Sequence, residues 1–254
     1  MRLSIFAAFP QEFRCILKNF KPKKSLKINS FSLFFTKYSS KEIVLIQTGI
    51  GTRNAEAALK YVLEEHRPDI VLSIGFGGAL YDGASAGDLI YANRVVFIPE
   101  SFKEEKNVSN LGDLSSKEVP NVREIVSKLS EKVSMHEGCI LTLERYIKKS
   151  EIIKYLSKDL SFPVCDMETF FLAKLSIEQG IPFLAVRSVT DRFDEEIPPE
   201  FLSVTDESGR YKLSRALGLI LKPRLIKDII RTGRASAKAS KNLYHLVKAV
   251  IEII

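Results

Sequence analysis

The sequence predicts an α/β protein, with a central sheet covered on both faces by helices. Two observations carry this. Apolar strand-like runs such as EIVLIQT (42–48) and DIVLSIGFGGAL (69–80) alternate with segments of helical period. Those runs are also nearly all apolar rather than alternating, as strands buried on both faces are. With 254 residues, 45% of them hydrophobic, the chain is long enough for one large α/β domain. No internal repeat and no linker divides it, so a single domain over residues 1–254 is expected.

The elements follow in order. LSIFAA (3–8) reads as a buried opening strand, and Pro10 starts a helix where its missing N–H is harmless. KNFKPKKSLK, within residues 17–27, reads as a short basic loop. Residues 31–37 and 42–48 are two strands around a polar turn at Ser39–Ser40, the second ending at Gly49-Ile50-Gly51. Ala55, Ala58, Leu59, Val62 and Leu63 then mark an amphipathic helix. Residues 69–80 form an apolar strand expected to break into a glycine-rich turn at GFGG (75–78), and 88–98 a strand pair or one bent strand. Residues 100–120, polar and charged, read as a mobile surface loop. Helix 121–133, strand 137–142 and helix 148–157 come next. PVCDMETFFLAKLSIEQG begins as a short strand and becomes a helix stopped by Gly180, a natural C′ residue. Strand 181–189 leads to Thr190-Asp191, residues 192–210 are a proline- and acid-rich loop, and a basic helical extension completes residues 197–254.

Composition excludes several function classes. Cys15, Cys139 and Cys165 are scattered without CxxC spacing, and His66, His136 and His245 stand far apart. No metal site is therefore expected, and the cysteines suit a reducing compartment, the cytoplasm. The longest apolar runs fall well short of the ~20 residues that span a bilayer, and no cleavage-site pattern follows LSIFAAF. The formal net charge is +7, and residues 222–248 hold eight Lys or Arg against one acid, Asp228. No nucleic-acid-binding motif accompanies them, so a solvated basic face is the reading and no nucleic-acid partner is expected.

Ligands of open α/β sheets bind beyond the carboxyl ends of strands. Glu12, Gly49–Gly51, Gly75–Gly78 and Asp191 fall at such places, and Glu168 sits where a helix starts inside the apolar stretch VCDMETFF. Each has a plain structural reading when taken alone: a dipole acid, a tight turn, a turn glycine, a cap. In this order they form a pattern. AAFPQEF (7–13), TGIGTRNAE (48–56), SIGFGGAL and AGDLI (73–90), GCILTLERYI (138–147), CDMETFFLA (165–173) and VRSVTDRFDEE (186–196) resemble the nucleoside phosphorylase/nucleosidase superfamily. Within it they are most similar to the methylthioadenosine/S-adenosylhomocysteine nucleosidases, over residues 1 to about 196.

The resemblance implies a three-layer α/β/α sandwich around a mixed sheet, assembled as a homo-oligomer, in the first instance a homodimer. It implies cleavage of a purine nucleoside at its N-ribosidic bond, with no cofactor. The transition state resembles an oxocarbenium ion and needs a proton for the base, a fixed sugar and a nucleophile on the opposite face. By family position Asp191 would hold the proton at purine N7, kept protonated by an apolar pocket, with Thr190 beside it. Glu168 would accept the ribose hydroxyls as an ionised acceptor, Met167 would lie on the ribose, and Glu12 would orient the attacking water. Tyr146 would stack on the base, Ile147 would meet its edge, and Gly77 and Gly78 would let main chain approach the nucleoside. Asp166 stands where Glu is frequent and receives only the task of bracing the helix start. Phe170 and Phe171 replace small residues, either reshaping the pocket or packing on a neighbouring helix.

Phosphorylases of the superfamily hold phosphate with arginines. Here Ser73 fills one such place and Phe76 another that often bears a hydroxyl, which favours water as nucleophile. Arg53, directly after the GIG turn, and Gly51 are the residues that could contact an anion, leaving phosphate as a co-substrate the alternative. The tail beyond residue 197 resembles that of hopanoid-associated nucleoside phosphorylases, and its basic amphipathic character suits peripheral contact with an anionic membrane. Helices that close the sheet explain the same pattern. A non-catalytic nucleoside-binding protein on this fold is the third reading.

Overall fold

The computed structural model describes residues 1–102, 109–113, 122–157, 159–196, 200 and 225–254. The strands are β1 (Arg2–Ala7), β2 (Lys24–Ile28), β3 (Phe31–Tyr38), β4 (Lys41–Gln47), β5 (Ile70–Ala79), β6 (Leu89–Ile98), β7 (Ser109–Asp113), β8 (Met135–Leu143), β9 (Val164–Asp166) and β10 (Phe183–Asp191). The helices are α1 (Pro10–Phe20), α2 (Thr52–Glu65), α3 (Val122–Ser130), α4 (Lys149–Ile152), α5 (Thr169–Glu178) and α6 (Ile226–Ile253).

The sheet is mixed, as expected. β1 lies parallel to β4 and β5, and β5 parallel to β10. β10 runs antiparallel to β6, β6 parallel to β8, and β8 parallel to β9. β9 then returns to pair antiparallel with the end of β5 at Gly78 and Ala79. The sheet therefore closes into a ring of β5, β10, β6, β8 and β9, with β1, β4, β3 and β2 continuing outward from β5.

Alternation along β1 and β4 assigns the two faces. Leu3, Ile5, Ile43 and Leu45 point into a core shared with Phe13 and Ile16 of α1, Ile125 and Leu129 of α3, and Leu243, Leu246 and Val247 of α6. Phe6, Val44 and Ile46 point into a second core with Ala55, Leu59 and Val62 of α2 and Leu172 and Ala173 of α5. Helices on both faces of the sheet make the three layers. Phe170 and Phe171 belong to this second core, each ring 5.3 Å from that of Phe97, so they pack on β6.

Several local expectations are corrected. Part of the basic stretch 17–27 is not loop: Lys24–Ile28 form β2, antiparallel to β3. Its lysines face solvent along an outer strand, where charge discourages pairing with another chain. Residues 75–78 are not a turn but lie within β5, and none of these glycines has a positive φ. Residues 88–98 are one strand, bent by a bulge between Ala92 and Arg94 in its pairing with β8. Within the 100–120 segment, residues 109–113 pair with β6, while 103–108 and 114–120 lie outside the described residues. The helix expected at 148–157 is the single turn of α4 followed by a 3₁₀ turn, Ile153–Tyr155. α5 ends as expected, with Gly180 at φ +68°.

Of the tail, residues 197–199 and 201–224 lie outside the described residues. The described part closes the sheet: Ala239, Leu243, Leu246, Val247 and Val250 of α6 are fully buried. Among the described residues no helix is long and apolar enough to cross a membrane.

Candidate active site

Glu12 hangs from the first turn of α1, just past the carboxyl end of β1. Its carboxylate is 2% exposed and accepts from the backbone N–H of Phe9 at 2.7 Å and of Phe76 at 2.6 Å. Burial pushes its pKa up to about 7, against the opposing pull of those N–H groups and of the Arg187 charge. Gly75 is glycine because a Cβ there would stand 2.9 Å from Glu12 Oε1.

Glu168 is part-buried between β9 and α5. Its Oε1 accepts from the Gly51 N–H at 2.7 Å, and Oε2 lies 3.3 Å from the Met167 N. Gly51 sits at φ +93°, a conformation that only glycine adopts readily, which turns its N–H toward the acid. The anion met by Gly51 is thus the protein's own carboxylate. Desolvation first, and the neighbouring Asp166 second, push Glu168 up to about 8. Without ligand, few donors offset its burial, and the charged form expected of it with a sugar bound is disfavoured.

Between these two acids lies a cavity of about 10 Å³, also lined by Thr48, Ser73 and Arg187. That volume holds roughly one water molecule. Arg187, in β10, is 2% exposed and was missed in the sequence reading. Its Nε and Nη2 bind Asp166 Oδ2 at 2.9 and 2.6 Å. Nη1 donates to the carbonyls of Ser73 and Val186, and Nη2 also reaches Ser73 Oγ and Thr169 Oγ1. Its five N–H groups are all engaged within the protein. Asp166 gains its explanation here. It carries the counter-charge, accepts from Thr142 Oγ1 at 2.7 Å, and caps α5 through the Thr169 N–H at 3.0 Å.

Asp191 ends β10. Thr190 Oγ1 donates to its Oδ1 at 2.8 Å. The apolar surroundings expected for it are not found. Lys149 Nζ stands 2.5 Å from Oδ2, an ion pair off the hydrogen-bonding direction, so Oδ2 makes no hydrogen bond. Lys149 too was missed, since nothing in KKSE marks one lysine as buried. A Cβ on Gly78 would meet Asp191 Oδ2 at 2.7 Å, and one on Gly77 would meet Arg187 Cβ at 3.0 Å. These glycines make room for the protein's own side chains, rather than for a close ligand alone.

Tyr146 lies beside the same strand end. Its hydroxyl donates to Glu196 Oε2 at 3.2 Å, and burial together with that carboxylate pushes its pKa up. Ile147, next in the chain, is buried, and Met167 is half-buried next to Glu168. Arg53 is exposed on the first turn of α2. Among the described residues no three His, Cys, Asp or Glu gather as metal ligands.

Fold and geometry together define an α/β protein with a cluster of buried acids at the carboxyl ends of its strands. Residues 2–221 match the family model of the phosphorylase superfamily, and the chain belongs to that family. It is 23% identical over 234 residues to the 5'-methylthioadenosine/S-adenosylhomocysteine nucleosidase of Buchnera aphidicola subsp. Acyrthosiphon pisum, covering 87% of this chain and 97% of that one. The nucleosidase of Actinobacillus succinogenes is 23% identical over 240 residues, covering 87% and 98%. Among solved structures, the nucleosidase of Neisseria meningitidis in complex with methylthio-immucillin-A superposes with a TM-score of 0.71 at 17% identity, covering 100% of this chain and 99% of that one. A Helicobacter pylori futalosine hydrolase gives 0.71 at 15% identity, covering 100% of both chains. These superpositions establish a shared fold.

Proposed function

We propose that this chain is an N-ribosyl hydrolase that cleaves a 5'-substituted adenosine-type nucleoside with water and releases adenine. The observation that carries the reading is the water-sized cavity between Glu12, Glu168 and Arg187. Phosphate would need a free arginine, and Arg187 has no N–H to spare. The curated relatives named above are nucleosidases, which supports the same reading.

In this mechanism Glu12, once ionised, takes a proton from the water as it attacks the anomeric carbon. The Glu168 carboxylate is drawn into its charged form by two ribose hydroxyls and fixes the sugar, with Met167 against the ring. Asp191, oriented by Thr190, manages the proton at N7 of the departing base. Tyr146 stacks on the base, with Ile147 at its edge and the Gly77–Gly78 backbone alongside. The chemistry draws on no cofactor. We further read residues 1–254 as one domain, working in the cytoplasm as a homodimer.

Arg53, exposed beside the Gly51 turn, favours a second reading in which phosphate replaces water. The similarity of the tail to hopanoid-associated phosphorylases would then point to an adenosyl lipid and to peripheral membrane contact by the basic face of α6. Adenine release from methylthioadenosine, adenosylhomocysteine and adenosine, with and without phosphate, separates the readings. Release without phosphate is expected; phosphate dependence with a ribose-1-phosphate product overturns the hydrolase. Asp191→Asn should stop turnover and leave nucleoside binding within about tenfold, since the group acts mainly in the transition state. A protein that binds nucleosides but never cleaves them would be a carrier.

A further inference from the structure

Lys149 opens α4 as the second of two consecutive lysines. Lys148 is exposed, whereas Lys149 is 4% exposed. A buried ammonium costs several kcal/mol unless acceptors surround it. Its acceptors all belong to one place. Nζ donates to the carbonyl of Asp191 at 3.0 Å and of Arg192 at 2.6 Å, and stands 2.5 Å from Asp191 Oδ2. Two N–H groups are thus taken by main-chain carbonyls, and the charge itself is met by the Asp191 carboxylate.

Two further observations show that the surroundings are shaped to this pair. A Cβ on Gly78 would meet Asp191 Oδ2 at 2.7 Å and Lys149 Cε at 2.9 Å, so β5 gives up a side chain where the pair sits. Glu196 ties the same two segments a second time. Its Oε2 accepts from the Lys149 N–H at 3.2 Å and the Tyr146 hydroxyl at 3.2 Å, and its Oε1 from the Ser150 N–H at 3.0 Å. The chain leaving β10 is thus strapped to the start of α4 by a lysine from one side and a glutamate from the other.

We propose that Lys149 is a positioning residue of the reaction, anchoring the Asp191 carboxylate and the Asp191–Arg192 backbone so that the proton-managing group keeps a fixed place against the leaving base. The inference rests on the nucleosidase reading. It places the effect of Lys149 on departure of the base, not on capture of the sugar. A leaving group that needs no proton should then be indifferent to it.

The test compares wild type, Lys149→Met, Lys149→Arg and Lys149→Gln on methylthioadenosine and on 4-nitrophenyl β-D-riboside, whose nitrophenolate departs unprotonated. Lys149→Met is expected to lower kcat on the nucleoside by about 100-fold, with KM and nitrophenyl riboside turnover each within about threefold. Lys149→Arg should recover part of the loss, because a cation returns. Lys149→Gln keeps a polar chain without its charge and should show the same split, which covers a Lys149→Met protein that does not fold. Equal loss on both substrates, or a raised KM at unchanged kcat, overturns the positioning role. Failure of wild type to release adenine overturns the nucleosidase reading instead. The anchoring is then read without turnover, from the ¹H–¹⁵N signal of the Lys149 ammonium: a protected signal that shifts in Asp191→Asn supports it, and a freely exchanging one overturns it.

Discussion

Arg187 Nη2 lies 2.6 Å from Asp166 Oδ2, with the two side chains 2% and 1% exposed. It is a fully enclosed ion pair joining β10 to the start of α5 behind the candidate site. Breaking such a pair by removing one partner leaves an uncompensated buried charge, at a cost of roughly 3–5 kcal/mol. Arg187→Met and Asp166→Asn should each lower the urea midpoint by that equivalent. The double variant should lose less than the sum of the two, and a midpoint unchanged in either single variant would contradict the account.

In the proposed mechanism Glu12 would govern the acid side of the rate profile. Its pKa is about 7 because burial outweighs the two N–H groups it accepts from. As the base for water it must be ionised, so kcat/KM should climb through pH 7 and level off above it. Glu12→Gln should abolish that limb and lower kcat by about 10²–10⁴-fold, with nucleoside affinity nearly kept. Initial rates between pH 5 and 9 check both statements.

The same acids set the pH dependence of stability. In the fold burial pushes Glu12 up to about 7 and Glu168 up to about 8, against 4.5 for an exposed glutamate. Between pH 4.5 and 8 the folded protein therefore binds more protons than the unfolded one, and stability falls as pH rises. The contribution is complete below pH 4.5 and gone above the folded values. Glu12 alone accounts for on the order of 3 kcal/mol, at ~1.4 kcal/mol per tenfold separation. Unfolding by urea at pH 5.5 and 8.5 should show the drop, and the Glu12→Gln, Glu168→Gln double variant should flatten it.

Gly75→Ala puts a methyl group 2.9 Å from Glu12 Oε1, so the carboxylate or the strand must move. Displacing the base from its water by even 1 Å can cost about 100-fold in rate. The expected variant folds, binds nucleoside and is slow. A fully active Gly75→Ala would show that Glu12 does not depend on this contact.

Much of the fold could be read from sequence, because the inner strands β1, β4, β5 and β10 are largely apolar and α1, α2, α3 and α6 are amphipathic. β2 escaped because its lysines suit an outer strand as well as a loop. The GFGG segment was placed in a turn because glycine frequency says turn, while the reason for it here is the room required by Glu12, Arg187 and Asp191. The acids of the site were legible by their order along the chain. Their partners were not, since Arg187 and Lys149 meet Asp166 and Asp191 from 21 and 42 residues away. One signal was present: Arg187 is a lone charge inside the apolar strand FLAVRSV, and Asp166 is a lone charge of opposite sign in VCD. Two such residues ask for each other.

β5 is paired with β1, β10 and β9 together, and so belongs to the open sheet and the closed ring at once. It cannot slide or tilt without disrupting three ladders, and it carries the glycines under Glu12 and Asp191. Descendants of this chain that acquire a different nucleoside have little freedom to rebuild that floor. Novelty has to enter through the connections at its rim, such as residues 144–150 and 192–196, while the bond-breaking apparatus is inherited whole.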